Sequence, residues 1–141
     1  MTDDSDILGP MSQGTTTNRA LAMGVLRAAV GVAMIAAPRA VARPNDGVAA
    51  AGDLVFMVRT IGVRDLAIGL GTVAAARSGR IDEARRWVRF GLVSDAIDVV
   101  VGSVAGPLLG RRGATTAALI PLPFVAADVW ILSESRDPVR L

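Results

Sequence analysis

The sequence predicts an all-α protein: an integral membrane four-helix bundle with antiparallel up-down-up-down connectivity. Three observations carry that expectation. Hydrophobic residues make up 52% of the 141 residues, and the mean hydropathy is +0.49, which sets the chain apart from ordinary soluble domains. Four apolar stretches of membrane-spanning length recur, at residues 20–37, 48–77, 87–106 and 114–132. Arginine and aspartate stand inside those stretches, where charges in lipid must face other helices or a wet cavity.

The elements follow in order. Residues 1–18 are rich in Thr, Ser, Asp and Gly without apolar periodicity and predict a mobile polar tail. The first span, 20–37, is interrupted only by Arg27 and ends at Pro38. Ala40-Val41-Ala42 imitates a signal-peptide cleavage site, but the acidic start and the arginine in the apolar core argue against one. Pro44 and Asn45-Asp46-Gly47 mark a turn. The second span, 48–77, exceeds the length needed to cross and is therefore expected to tilt, with Asp53 at its outer end. A short charged connection leads to Trp87, which opens the third span at an interface. The fourth span contains Pro121 and Pro123, which free carbonyls near Ala117 and Leu119 and predict a kink. Residues 19–134 form one transmembrane domain, and 135–141 a short C-terminal tail.

Composition excludes much chemistry. With no cysteine and no histidine, the chain has no disulfides, no thiolate or imidazole metal ligands and no Ser-His or Cys-His catalysis. No catalytic residue is assigned, and no metal site. All 15 basic residues are arginine, the cation best suited to forked pairing with a carboxylate inside a protein. Nucleic acid is not expected as a partner, because no aromatic platform or basic motif accompanies the charge. Arg19, Arg77, Arg80, Arg85, Arg86, Arg136 and Arg140 fall on one side of the spans, and Arg39, Arg43, Arg111 and Arg112 on the other. The positive-inside rule then places both termini in the cytoplasm.

The stretch from Arg59 to Gly71 puts Arg59, Arg64 and Asp65 inside the second span. Counting about 1.5 Å of rise per residue, Arg27 and Asp95 lie about 12 Å in from the cytoplasmic helix ends and Asp128 about 9 Å. Arg64, Asp65 and Asp98 form a second layer near mid-membrane, about 17 to 20 Å in, with Arg59 higher still. Gly91, Asp95, Asp98, Gly102 and Gly106 follow helical spacing and line one face of the third span. Gly24, Arg27 and Gly31 share a face of the first, and Ala67, Gly71 and Ala74 form a small-residue strip on the second, beside Gly62 and Gly69. The expected pairs are Arg64 with Asp98, and Arg27 with Asp95 or Asp128. Three arginines against four aspartates leave one carboxylate over, and Asp128, after the kink, is the candidate for proton or ligand coupling, or else a carboxylate that snorkels to the interface. The same pairs can equally serve only to fix helix register. Gly69-Leu70-Gly71 lacks a preceding strand and is packing rather than a dinucleotide loop. A cation at Asp95, Asp98 and Asp128 would be opposed by the arginines.

Gly62-Val63-Arg64-Asp65-Leu66, the following Gly69, and Asp95 with Asp98 resemble the small four-helix bacterial membrane proteins of the DoxX-like group. The likeness is greatest to an actinobacterial branch with a G-x-R-D motif and covers residues 20–132. The resemblance implies a multi-pass protein of the bacterial plasma (inner) membrane, associated with quinone-linked oxidoreductase assemblies or acting as an accessory protein. It carries over only Arg64, Asp65, Asp95 and Asp98, as a polar core. Three functions remain open: a non-catalytic accessory or assembly subunit, a binder or carrier of a quinone or lipid, and a proton-coupled oligomeric transporter. The partners expected are membrane lipids and other membrane subunits or further copies of the chain. No cofactor is expected beyond the quinone or lipid of the second reading.

Overall fold

The computed structural model describes residues 5–42 and 52–133, and every element among them is a helix. They are α1 (Ser5–Ala36), α2 (Pro38–Ala42), α3 (Gly52–Arg77), α4 (Ile81–Val104), α5 (Gly106–Leu119) and α6 (Leu122–Ser133). The Asn45-Asp46-Gly47 turn, the start of the second expected span and the tail at 135–141 lie outside the described residues. Among the described residues two helical stretches are long and apolar enough to cross a membrane, Gly14–Ala36 and Gly113–Ser133.

Local chemistry sets the helix ends. Pro38 closes α1 and opens α2, since proline suits a first turn but not a helix interior. Asp53 in the first turn and Arg77 in the last complement the α3 dipole. Gly79 then takes φ 69°. Its amide donates to the Ala76 carbonyl (3.1 Å) and that of Arg80 to the Ala75 carbonyl (3.0 Å), the two bonds of a Schellman cap. Asp82 and Glu83 occupy the first turn of α4, where Arg80 pairs with Glu83. Within α5 the backbone at Gly110 leaves helical geometry (φ 69°). Ile120 and Pro121 then separate α5 from α6, with Pro123 in the first turn of α6, so the expected kink is a break between two helices.

Several boundaries differ from the sequence expectation. α1 begins at Ser5, inside the stretch expected as a polar tail. Contact with α6 supports its extension past the apolar core: Thr16 and Ala20 are buried, and the Arg19 guanidinium stacks 4.3 Å from the centre of the Trp130 ring. α4 starts at Ile81 rather than at Trp87, because the acidic residues expected in a connection cap its dipole instead. Trp87 consequently lies one and a half turns into the helix, half-buried against Gly71.

Packing is closest between α1 and α3, which run antiparallel. Gly24 lies beside Gly69, and Gly31 beside Gly62. A Cβ on Gly31 would stand 2.5 Å from the Leu66 amide nitrogen and 2.6 Å from the Gly62 carbonyl oxygen, so backbone meets backbone here. The expected Ala67, Gly71 and Ala74 strip is corrected: Ala67 and Ala74 are exposed, and Gly71 serves α4 through the Trp87 ring. Closest approach needs a helix face without Cβ atoms, and only Gly62 and Gly69 provide one opposite the α1 glycines. Gly102 lets α4 approach the α5 backbone at Ala117 and Ala118. Gly106, expected on the same face, meets nothing within 4 Å, because α4 has ended at Val104 and the chain has turned.

Polarity is distributed inside out. Arg27, Asp65, Asp95 and Asp128 are buried, whereas Phe56 is 74% exposed and Val104 70%. Exposed apolar side chains run down α1, α3, α4 and α6.

Candidate functional site

The charged residues of four helices meet in one cluster. Arg27 enters from α1, one turn from the glycine contact at Gly24, and its guanidinium forks onto Asp95 of α4: Nη1 donates to Oδ1 at 3.2 Å and Nη2 to Oδ2 at 2.6 Å. Nη2 also donates to Asp128 Oδ2 of α6 at 2.9 Å. Asp65 of α3 lies 3.7 Å from Nη1, an ion pair without a hydrogen bond. Room for this crossing comes from Gly91, where a Cβ would stand 2.9 Å from Arg27 Nη2 and 3.0 Å from Asp128 Oδ2. The Phe124 ring covers the guanidinium carbon at 5.0 Å.

Arg64 makes the second centre. Its Nη1 donates to Asp98 Oδ1 at 3.1 Å, and Nη2 lies 2.8 Å from Oδ2, again a forked pair. Nε and Nη2 also donate to Asp65 Oδ1 at 3.1 and 3.0 Å. Consecutive residues of a helix point about 100° apart, so the long Arg64 side chain must wrap round α3 to meet the carboxylate of its neighbour. Asp65, facing both guanidiniums, joins the two centres, and Asp95 lies 3.8 Å from Arg64 Nη2. The two layers expected from depth are therefore one network.

Two arginines face four aspartates, so the cluster carries a formal charge of −2 with every carboxylate ionised. Burial grades across it. Side-chain exposure is 3% at Arg27 and 1% at Asp128, but 29% at Arg64 and 25% at Asp98. Asp98 and Asp95 have both oxygens engaged, whereas Asp128 Oδ1 is buried and receives no hydrogen bond.

Arg59 does not join. Five residues before Arg64, it points about 140° away round the helix; it is exposed, and its Nε donates to the Ile35 carbonyl at 3.4 Å. The expected polar core thus loses Arg59 and keeps Arg27, Arg64, Asp65, Asp95, Asp98 and Asp128. Phe124 and Gly91 belong to the site without having been assigned to it from their chemistry. Phe124 precedes Asp128 by four residues and so shares its face, a spacing that could have identified it.

Among the described residues no group of three or more acidic side chains is arranged to hold a metal ion. A groove of about 290 Å³ between α4 and α5 is lined by Ser103, Ala114, Thr115, Ala118 and Leu119 and includes no residue of the network. The arrangement can clamp four helices, accept a donor at Asp128 Oδ1, and meet a polar group at the Arg64–Asp98 edge. No protein-family model, no curated protein and no solved structure matches the chain.

Proposed function

We propose that this is a small integral membrane protein of the DoxX-like kind, acting as a non-catalytic accessory or assembly subunit of a larger membrane complex. In this reading α1, α3, α4 and the α5–α6 pair are the four spans of an antiparallel bundle in the plasma membrane, with both termini cytoplasmic. The inside-out polarity supports the membrane setting. Of the charges in α3 and α4, Arg64, Asp65, Asp95 and Asp98 are paired in the interior, while large apolar side chains such as Phe56, Val63, Val93 and Ile97 face outward.

One observation carries the accessory role. The small-residue strip of α3, Ala67 and Ala74, faces outward, as do Ala29 and Ala33 of α1. Such faces drive helix association in lipid, where packing replaces the hydrophobic effect. Native mass spectrometry of the protein released in mild detergent from its own membranes tests the role: a heterologous protein in fixed stoichiometry is the expected result, and a lone chain or bare homo-oligomer would refute it.

A second reading, an intramembrane binder of a quinone or lipid, is favoured by the Arg64–Asp98 edge, which is the part of the network open to an incoming headgroup. A defined small-molecule mass retained on a homo-oligomer, and lost in Arg64→Met, would select it.

A further inference from the structure

We propose that Asp128 is a proton-binding site, with Oδ1 holding the proton while Oδ2 accepts from Arg27. The inference rests on the membrane-spanning reading above and extends it. Its premises are geometric. Every other carboxylate of the network faces Arg64 as well as, or instead of, Arg27. Asp95 takes both branches of the Arg27 fork and lies 3.8 Å from Arg64. Asp98 takes both branches of Arg64. Asp65 accepts two bonds from Arg64 and faces Arg27. Asp128 has a single donor, shared with Asp95, on one of its oxygens; the other oxygen is buried without a partner, and the residue is 1% exposed.

The groups facing Asp128 can be named from each element packed on α6. From α1 comes Arg27, with Arg19 further along the helix held on the Trp130 ring. From α4 comes Asp95, a like charge on the same Arg27 nitrogen. Beyond them on α3 stand Asp65 and Arg64. Arg27 therefore faces three carboxylates at this closed end, and Arg64 reaches two of them, Asp65 and Asp95, but not Asp128. Taking a proton from a hydronium ion forms an O–H bond at Oδ1 and breaks one O–H bond of the hydronium, which leaves as water. The formal charge of the cluster goes from −2 to −1, and the remaining excess falls towards Asp98, the carboxylate that solvent reaches. α6 then docks by a hydrogen bond from Arg27 and the Phe124 contact, without bringing a further charge of its own into the closed end.

Infrared spectroscopy of the full chain in lipid bilayers at neutral pH tests this. The expected result is a carbonyl stretch of an un-ionised carboxylic acid that disappears in Asp128→Asn, the isostere of the neutral acid. No such band, or a band that survives the substitution, would overturn the proposal. Should Asp128→Asn fail to fold, the wild type decides alone: the ¹³C carboxyl resonance correlated through the chain to the Val129 amide must be that of the neutral acid, and a carboxylate shift overturns it. A native mass spectrum without a heterologous subunit would sink the accessory role and leave this band in place.

Discussion

Replacing Arg27 by methionine keeps most of the side-chain volume and removes the charge that four helices share. Arg27 makes three hydrogen bonds to carboxylates and one further ion pair. Removing one partner of a buried pair costs about 3 to 5 kcal/mol, because it leaves uncompensated charge behind. Here Asp95 and Asp65, both buried, would be left with Arg64 as the sole counter-charge, and Asp128 would lose its one donor, which sets the expected loss in that range. Against a total stability of about 5 to 15 kcal/mol, such a loss removes a large share. Arg64→Met also takes both hydrogen bonds from buried Asp65, but Asp65 keeps Arg27 beside it, and the Arg64–Asp98 pair is 29% and 25% exposed, where solvent-reached pairs are worth about 1 kcal/mol or less. Unfolding by sodium dodecyl sulfate in mixed micelles, followed by far-UV circular dichroism, should place Arg27→Met well below Arg64→Met. Adding Asp95→Asn to Arg27→Met should recover part of the loss, since one stranded carboxylate is gone. If Arg64→Met is as damaging as Arg27→Met, burial does not grade the energetics of this network and the reasoning fails.

Gly31→Ala forces a Cβ against the backbone of α3 and should lower the unfolding free energy by about 1 to 3 kcal/mol, whereas Gly106→Ala, which meets open space, should leave it unchanged. Gly79→Ala should cost about 1 to 2 kcal/mol by placing a Cβ at positive φ, measurable in the same titration although the position touches nothing. Because the chain has no native cysteine, topology can be read by labelling: in intact cells a membrane-impermeant maleimide should modify a cysteine at Gly110 and spare one at Ser78. The reverse pattern would invert the proposed orientation.

The helical character of the chain and the membership of the charged cluster were legible because both depend on periodicity. Asp95, Asp98, Gly91 and Gly102 share a face at helical spacing, and that face meets its partners. The register of α1 on α3 was also present in the sequence, since Gly24 and Gly31 stand seven residues apart and so do Gly62 and Gly69. Antiparallel pairing of the two sets puts glycine opposite glycine twice. Ala67 and Ala74 have the same spacing, and small size alone does not separate them from the glycines. The decision comes from a second requirement, that neither helix carry a Cβ at the crossing, which two facing helices impose and one helix cannot reveal.

Depth counting failed in a different way. A rise of about 1.5 Å per residue locates Cα atoms, and it separated Arg27, Asp95 and Asp128 from Arg64, Asp65 and Asp98. An arginine side chain, however, is longer than the about 5.4 Å pitch of a helical turn, so a guanidinium can leave the layer of its own backbone. Arg64 uses that length to turn back onto Asp65, and Asp65 in turn faces Arg27. The same length lets Arg59 leave the interior and reach the Ile35 carbonyl. Aspartate has no such freedom, which is why the four carboxylates lie where their helical positions put them while the arginines decide what is joined. The excess of aspartate over arginine then becomes a property of one cluster rather than of two balanced layers. One of the two excess carboxylates is Asp128, where α6 offers no cation of its own and Arg27 is already shared.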